Sequence, residues 1–253
     1  MGARPGLHLH VDGDSVLHRL PAHAKVVGLL AFALTTVAVP APGWRPLTVA
    51  MLTGCGLVAL TGVAWRYVWP RLLIEVPFLL FAAVLPFVAS GPRMALGPLQ
   101  VSEVGLLSAW ALAAKGTAAV LAATAFAVTT TPRDLVVGLQ RLHVPDTLVG
   151  ILSFMVRYAA VVGDEMRRMR IARESRGFRA ASLRSWPTLG RTLGALFVRS
   201  FERGERVHVS MVSRGWTGTF PTFATATAGL VDWASAALPA LLVALTAAWA
   251  LAS

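Results

Sequence analysis

The chain has 253 residues, 56% of them hydrophobic and 14% charged, with a mean hydropathy of +0.65. Soluble domains carry about 25% charged residues, so this is a membrane protein, and its single Cys55 excludes a disulfide framework or thiolate cluster. The formal charge of +11 is nearly all arginine, since Lys25 and Lys115 are the only lysines, and in a polytopic membrane protein that excess marks cytoplasmic loops before it marks nucleic acid.

A polar N-terminal tail carries His8, His10 and His18, with His23 just beyond it. His8 and His10 flank Leu9 at a spacing that suits a metal in an extended strand, but no carboxylate or cysteine cluster completes a site. The first apolar run extends from Ala24 to Val39. Pro40-Ala41-Pro42 loosely resembles a signal-peptide cleavage region, yet the runs that follow favour a retained span. Further runs cover Leu47 to Ala64, Leu72 to Ala89, Val104 to Val128 and Ala224 to Leu251. Each approaches the ~17–25 residues that cross a hydrocarbon core. The last is broken by Asp232 and Pro239 and is expected to cross from about Ser235. The expected fold is all-α and polytopic, with about five transmembrane helices. A tail with four spans fills residues 1–130, a cytoplasmic helical domain 131–222, and a final span 223–253.

Charge sets the expected topology. Residues 131–220 hold 15 Arg against 7 Asp or Glu, a surplus of eight, which places them and the N-terminus in the cytoplasm. Arg66 and Arg71 agree, whereas Arg45 and Arg93 fall on the outer side. Lys115 stands near the middle of the fourth span. A cation there costs about 2.5–3.5 kcal/mol on insertion scales, so it should face protein or a polar cavity, either as a structural contact or as an intramembrane polar site for transport. Glu75 is the nearest acid by span order.

The cytoplasmic region reads as three helices, two of them long. Thr131-Pro132-Arg133-Asp134 is a helix start, with Thr to cap and Pro suited to the first turn; this helix should end near Leu142. A second starts at Val144-Pro145-Asp146 and runs about thirty residues to Ser175. Leu148, Ile151, Leu152, Met155, Ala159, Val162, Met166 and Met169 form its apolar face. Its first half, Leu148 to Val162, is apolar enough to mimic a sixth span, but Arg157 interrupts it and a helix lying against the core is preferred. In its second half Asp164 and Arg168, and Arg170 and Glu174, stand one turn apart. After a link containing Arg179 and Arg184, a third helix begins at Pro187. Its stripe is Leu189, Leu193, Leu196, Ser200, Gly204, Val207 and Met211, and Gly204 should permit a close helix crossing. The lone His143 and His208 read as structural residues.

Both long helices close on the same words, Ser175-Arg176-Gly177-Phe178 and Ser213-Arg214-Gly215-Trp216. A Gly after a helical pattern takes the left-handed conformation freely, and an Arg in the last turn suits the negative end of the helix dipole. One copy is an ordinary helix end; two copies in the same order point to a shared task. The catalytic and nucleotide motifs sought are missing: no P-loop, no His-Glu-x-x-His, no Gly-x-Ser-x-Gly and no paired intramembrane carboxylates. Energy must then come from elsewhere, and a separate ATPase subunit is the expected donor. An exposed Arg at a helix tip can enter an acidic groove and bond bidentately.

These residues resemble the transmembrane component of energy-coupling factor (ECF) transporters, and most closely its cobalt branch, the CbiQ-like proteins. The supporting stretches are Asp14 to Leu20 with Lys25, Thr129-Thr130-Thr131-Pro132, Arg157-Tyr158, Asp164-Glu165, Arg168, Ala172-Arg173, Glu202-Arg203 and the two Ser-Arg-Gly motifs, where the family commonly has Ala for Ser. The resemblance implies a non-enzymatic subunit without catalytic residue, cofactor or metal ligand. The three cytoplasmic helices would be coupling helices of a cobalt importer that serves cobalamin biosynthesis in the bacterial plasma membrane. Two cytoplasmic ATPase subunits would dock on Ser175, Arg176, Gly177, Ser213, Arg214 and Gly215. A separate membrane subunit would bind the metal, and nucleic acid is no partner. The competing reading is a self-contained secondary carrier, or a membrane protein that holds anionic lipid through its Arg-rich helices.

Overall fold

The computed structural model describes residue 11 and residues 13–96, 99–178, 185–218 and 228–252; His8, His10, Arg179 and Arg184 lie outside these. The chain is an all-α polytopic membrane protein with one small hairpin. Its helices are α1 (Val16–Arg19), α2 (Ala22–Ala38), α3 (Trp44–Thr61), α4 (Trp69–Leu72), α5 (Val76–Val88), α6 (Glu103–Thr129), α7 (Pro132–Arg141), α8 (Asp146–Glu174), α9 (Trp186–Val212) and α10 (Leu230–Ala252). The link expected to be turn-rich before α6 instead pairs β1 (Arg93–Leu96) with β2 (Leu99–Ser102), antiparallel, with Arg93 opposite Ser102. Two compact units result, Met1–Gly138 with Ala224–Ser253, and Leu139–Phe223.

In the first unit α6 is the central element. Its buried alanines, Ala111, Ala114, Ala118, Ala122 and Ala125, recur at three- and four-residue steps. Small side chains let backbones approach where lipid supplies no hydrophobic drive between helices. Gly54 of α3 lies so close that a Cβ there would stand 3.3 Å from the Ala118 carbonyl oxygen. Phe32, Leu47 and Val243 bring α2, α3 and α10 onto the same seam. Hydroxyls within these helices bond back to their own backbone, as Thr36 Oγ1 to Phe32 O at 2.7 Å and Thr53 Oγ1 to Val49 O at 2.7 Å. A buried hydroxyl is satisfied without water in this way.

Among the described residues five helical stretches are long and apolar enough to cross a membrane, the number expected, but they are not the same five. Trp44–Thr61, Trp65–Val88, Glu103–Thr129 and Leu230–Ala252 match expected spans, whereas α2 is shorter at 17 residues and Asp146–Glu174 takes the fifth place. The apolar half of α8 is the reason. The stretch Trp65–Val88 is also not one smooth helix: 3-10 turns at Trp65–Tyr67 and Leu73–Glu75 precede α4 and α5. Pro70 and Pro77 each sit in the first turn of a new segment, where their missing N–H costs least.

Candidate functional site

α8 and α9 end in the same geometry, bond for bond. At the end of α8 the Gly177 N–H donates to Glu174 O at 3.0 Å and the Phe178 N–H to Arg173 O at 3.1 Å. At the end of α9 the Gly215 N–H donates to Val212 O at 2.9 Å and the Trp216 N–H to Met211 O at 3.0 Å. This is a Schellman motif, in which otherwise orphaned carbonyls are satisfied by a left-handed residue after the helix. Gly177 (φ +78°) and Gly215 (φ +81°) are those residues. The serines match too: Ser175 Oγ donates to Ala172 O at 3.1 Å and Ser213 Oγ to Ser210 O at 3.0 Å. Arg176 and Arg214 thus occupy one stereochemical position, exposed in both cases. Among the described residues neither guanidinium forms a hydrogen bond or ion pair.

A third helix separates the needs of the cap from those of the arginine. α7 ends with the His143 N–H on Gln140 O at 3.1 Å and the Val144 N–H on Leu139 O at 3.2 Å, and His143 itself is left-handed at φ +58°. Leu142 stands there where the two tips carry Arg. The hydrogen bonds of the cap therefore demand neither Arg nor Gly. Among the described residues only α8 and α9 combine a strain-free turn with an outward cation. Left-handed backbone costs a Cβ-bearing residue about 1–2 kcal/mol. Gly177→Ala and Gly215→Ala are each expected to destabilise the helix end by about 1 kcal/mol and to weaken function in part. Gly204→Ala, within α9, should do neither. Equal thermal melting of all three variants would remove the argument.

The aromatic residue after each Gly does local work that sequence reading missed, although its recurrence was the available signal. Phe178 lies under the Arg173 guanidinium at 5.6 Å, and Arg173 Nη1 also donates to Thr192 Oγ1 of α9 at 3.3 Å. Trp216 meets the His208 ring edge-on at 5.8 Å. The arginines of α8 pair along the helix. Arg168 bonds Glu165 at 2.9 Å, Arg170 bonds Glu174 at 2.8 Å as expected, and Asp164 meets Arg167 at 3.5 Å. Glu165 further accepts from Arg199 of α9 at 2.6 Å, a bond between the two long helices.

The expected close crossing at Gly204 is not formed. A Cβ there would meet no atom within 4 Å, because the residue borders a cavity between α8 and α9. At the start of α7 the expected cap is present: Thr131 Oγ1 accepts from the Asp134 N–H at 3.1 Å and donates to Asp134 Oδ2 at 2.6 Å.

Lys115 reaches the end of another helix. Its Nζ donates to Val37 O at 2.8 Å, in the last turn of α2, where carbonyls lack intrahelical partners. Glu75 is not its partner; Glu75 Oε1 accepts from Thr117 Oγ1 at 3.1 Å, and Gly116 leaves room for that carboxylate. Lys115→Met is expected to lower stability by roughly 1 kcal/mol while uptake per folded molecule is unchanged. Lost uptake with unchanged melting would give Lys115 a transport role instead. Among the described residues no three His, Cys, Asp or Glu gather to hold a metal ion.

The model of the CbiQ family, described as cobalt transport protein, matches residues 13–223. The chain is 28% identical over 213 residues to the cobalt transport protein CbiQ of Rhodobacter capsulatus, covering 81% of each chain. It is 26% identical over 223 residues to the energy-coupling factor transporter transmembrane protein EcfT of Bacillus selenitireducens, covering 83% of this chain and 82% of that one. The EcfT of Bacillus subtilis is 25% identical over 226 residues, 83% of each.

Proposed function

Because the chain belongs to the CbiQ family of cobalt transport proteins, a transmembrane component of ECF transporters, we propose that it couples ATP hydrolysis by two cytoplasmic ATPase subunits to uptake of cobalt through a separate metal-binding membrane subunit. The observation that carries this reading is the pair of matching helix ends, each presenting an exposed arginine in one geometry. Two equal sockets on two ATPase subunits would meet two equal plugs. Guanidinium suits such a task, since its fixed fork bonds a carboxylate bidentately and never loses its charge.

Force would enter at Arg176 and Arg214 when the ATPases close on ATP. It would pass along α8 and α9, which the Glu165–Arg199 and Arg173–Thr192 bonds tie together. Leu148, Ile151 and Met155 on α8, with Leu193, Phe197 and Phe201 on α9, are all more than half exposed, an apolar surface on which a membrane subunit could ride. The N-terminus and residues 139–223 would then face the cytoplasm, and the bilayer would be the bacterial plasma membrane.

The reading is tested by reconstituting the chain in liposomes with its neighbouring ATPase and metal-binding subunits and measuring radioactive cobalt uptake. Uptake is expected only with all parts and ATP. Uptake by this chain alone would favour a self-contained carrier.

A further inference from the structure

The cavity between α8 and α9 has about 260 Å³ of space, far more than one water needs. Besides the Trp216 indole, four of its lining side chains can donate hydrogen bonds: the Arg203 guanidinium, the His208 imidazole and the Tyr158 and Ser200 hydroxyls. Among the described residues none of the four forms a hydrogen bond or ion pair, and no carboxylate lines the space. Phe154, stacked on Tyr158 at 6.1 Å, and Trp216 form an aromatic wall. Gly204 contributes no side chain to fill it.

Arg203 has donors only, so its natural counterpart is an oxyanion with several acceptor oxygens. A phosphate fits that need, and the aromatic wall fits an apolar body attached to it. In a membrane protein the molecule that joins these features at high local concentration is a phospholipid, and basic pockets among helices hold anionic headgroups. We propose that this cavity binds one anionic phospholipid, its phosphate on Arg203 with Tyr158, Ser200 and His208 around it, and its glycerol and first methylenes against Phe154 and Trp216. Tip and lipid are thereby linked, since Trp216 follows Gly215 directly. The proposal does not rest on the coupling reading, because binding is measured without ATPases.

The test is native mass spectrometry of the full-length chain in micelles titrated with dioctanoyl phosphatidylglycerol, with dioctanoyl phosphatidylcholine or inorganic phosphate as the other arms. One phosphatidylglycerol per chain is expected to be retained in preference to phosphatidylcholine. Arg203→Gln should weaken retention by about tenfold or more. Gly204→Leu, whose side chain has room to enter the cavity, should abolish it. Arg206→Gln, on an exposed residue that does not line the cavity, should leave it unchanged. Circular dichroism checks that the variants keep their helix content. Retention by Arg203→Gln or Gly204→Leu equal to the native chain would overturn the proposal. So would equal retention of phosphatidylcholine, or displacement of the lipid by an equal concentration of inorganic phosphate, which would make free phosphate the ligand.

Discussion

Reversing the charge at both helix tips, Arg176→Glu with Arg214→Glu, is expected to abolish cobalt uptake and co-purification with the ATPase, while the protein still accumulates in the membrane. Neither side chain bonds anything within the chain among the described residues, so folding loses nothing when the guanidinium goes. Docking loses a great deal. Breaking one partner of a desolvated charge pair costs about 2–5 kcal/mol, and at about 1.4 kcal/mol per decade that is roughly 30-fold to several thousandfold in affinity. A glutamate facing an acidic socket adds repulsion. Each single variant should retain weak association through the remaining tip, so the double variant should fall well below either. The counterpart control is Leu142→Arg, which places a third arginine on the corresponding cap of α7 and should rescue nothing. Co-purification that survives in the double variant would show that the ATPase grips another surface.

The largest effect on stability is expected at Gly28. A Cβ added there would stand 2.5 Å from the backbone oxygen of Ala236 and 3.2 Å from its Cβ. Backbone cannot swing aside as a side chain can, so α2 and α10 must separate. Gly28→Ala should therefore cost about 1–3 kcal/mol or more, as overpacking of a tight interior does. Gly56→Ala is the same chemical change where the new Cβ meets no atom within 4 Å. It should gain the usual advantage of Ala over Gly in a helix, about 0.5–1 kcal/mol. Thermal melting of the two purified variants in one detergent is expected to move in opposite directions. Similar melting of both would mean that α2 and α10 are not packed as closely as described.

Much of the tip geometry could be read from sequence because it is local. Every bond of the two Schellman motifs joins residues no more than five apart, and Gly after a helical pattern signals it directly. The limits of α7, α8 and α9 were legible for the same reason: Pro132, Pro145 and Pro187 mark starts, and Gly177 and Gly215 mark stops. The repeated Ser and Arg carried the suggestion of shared work, and Leu142 in the α7 cap supplies the contrast that sequence periodicity alone could not. The five-span count came from composition, and by length and composition α8 qualifies where the shorter α2 does not.

The sequence by itself determined that the chain is an all-α membrane protein, that its charge gathers between residues 131 and 220, and that two arginines sit at matching helix ends, since these follow from composition and from interactions within a turn or two. Only tertiary structure decided that Lys115 caps α2 across 78 residues, that Gly28 is the tight point against α10, and that Gly204 opens a cavity instead of closing a crossing. A 3.6-residue period says which face of a helix is apolar, but not which neighbour it meets or how far away. Those choices are made when several faces compete to pack at once.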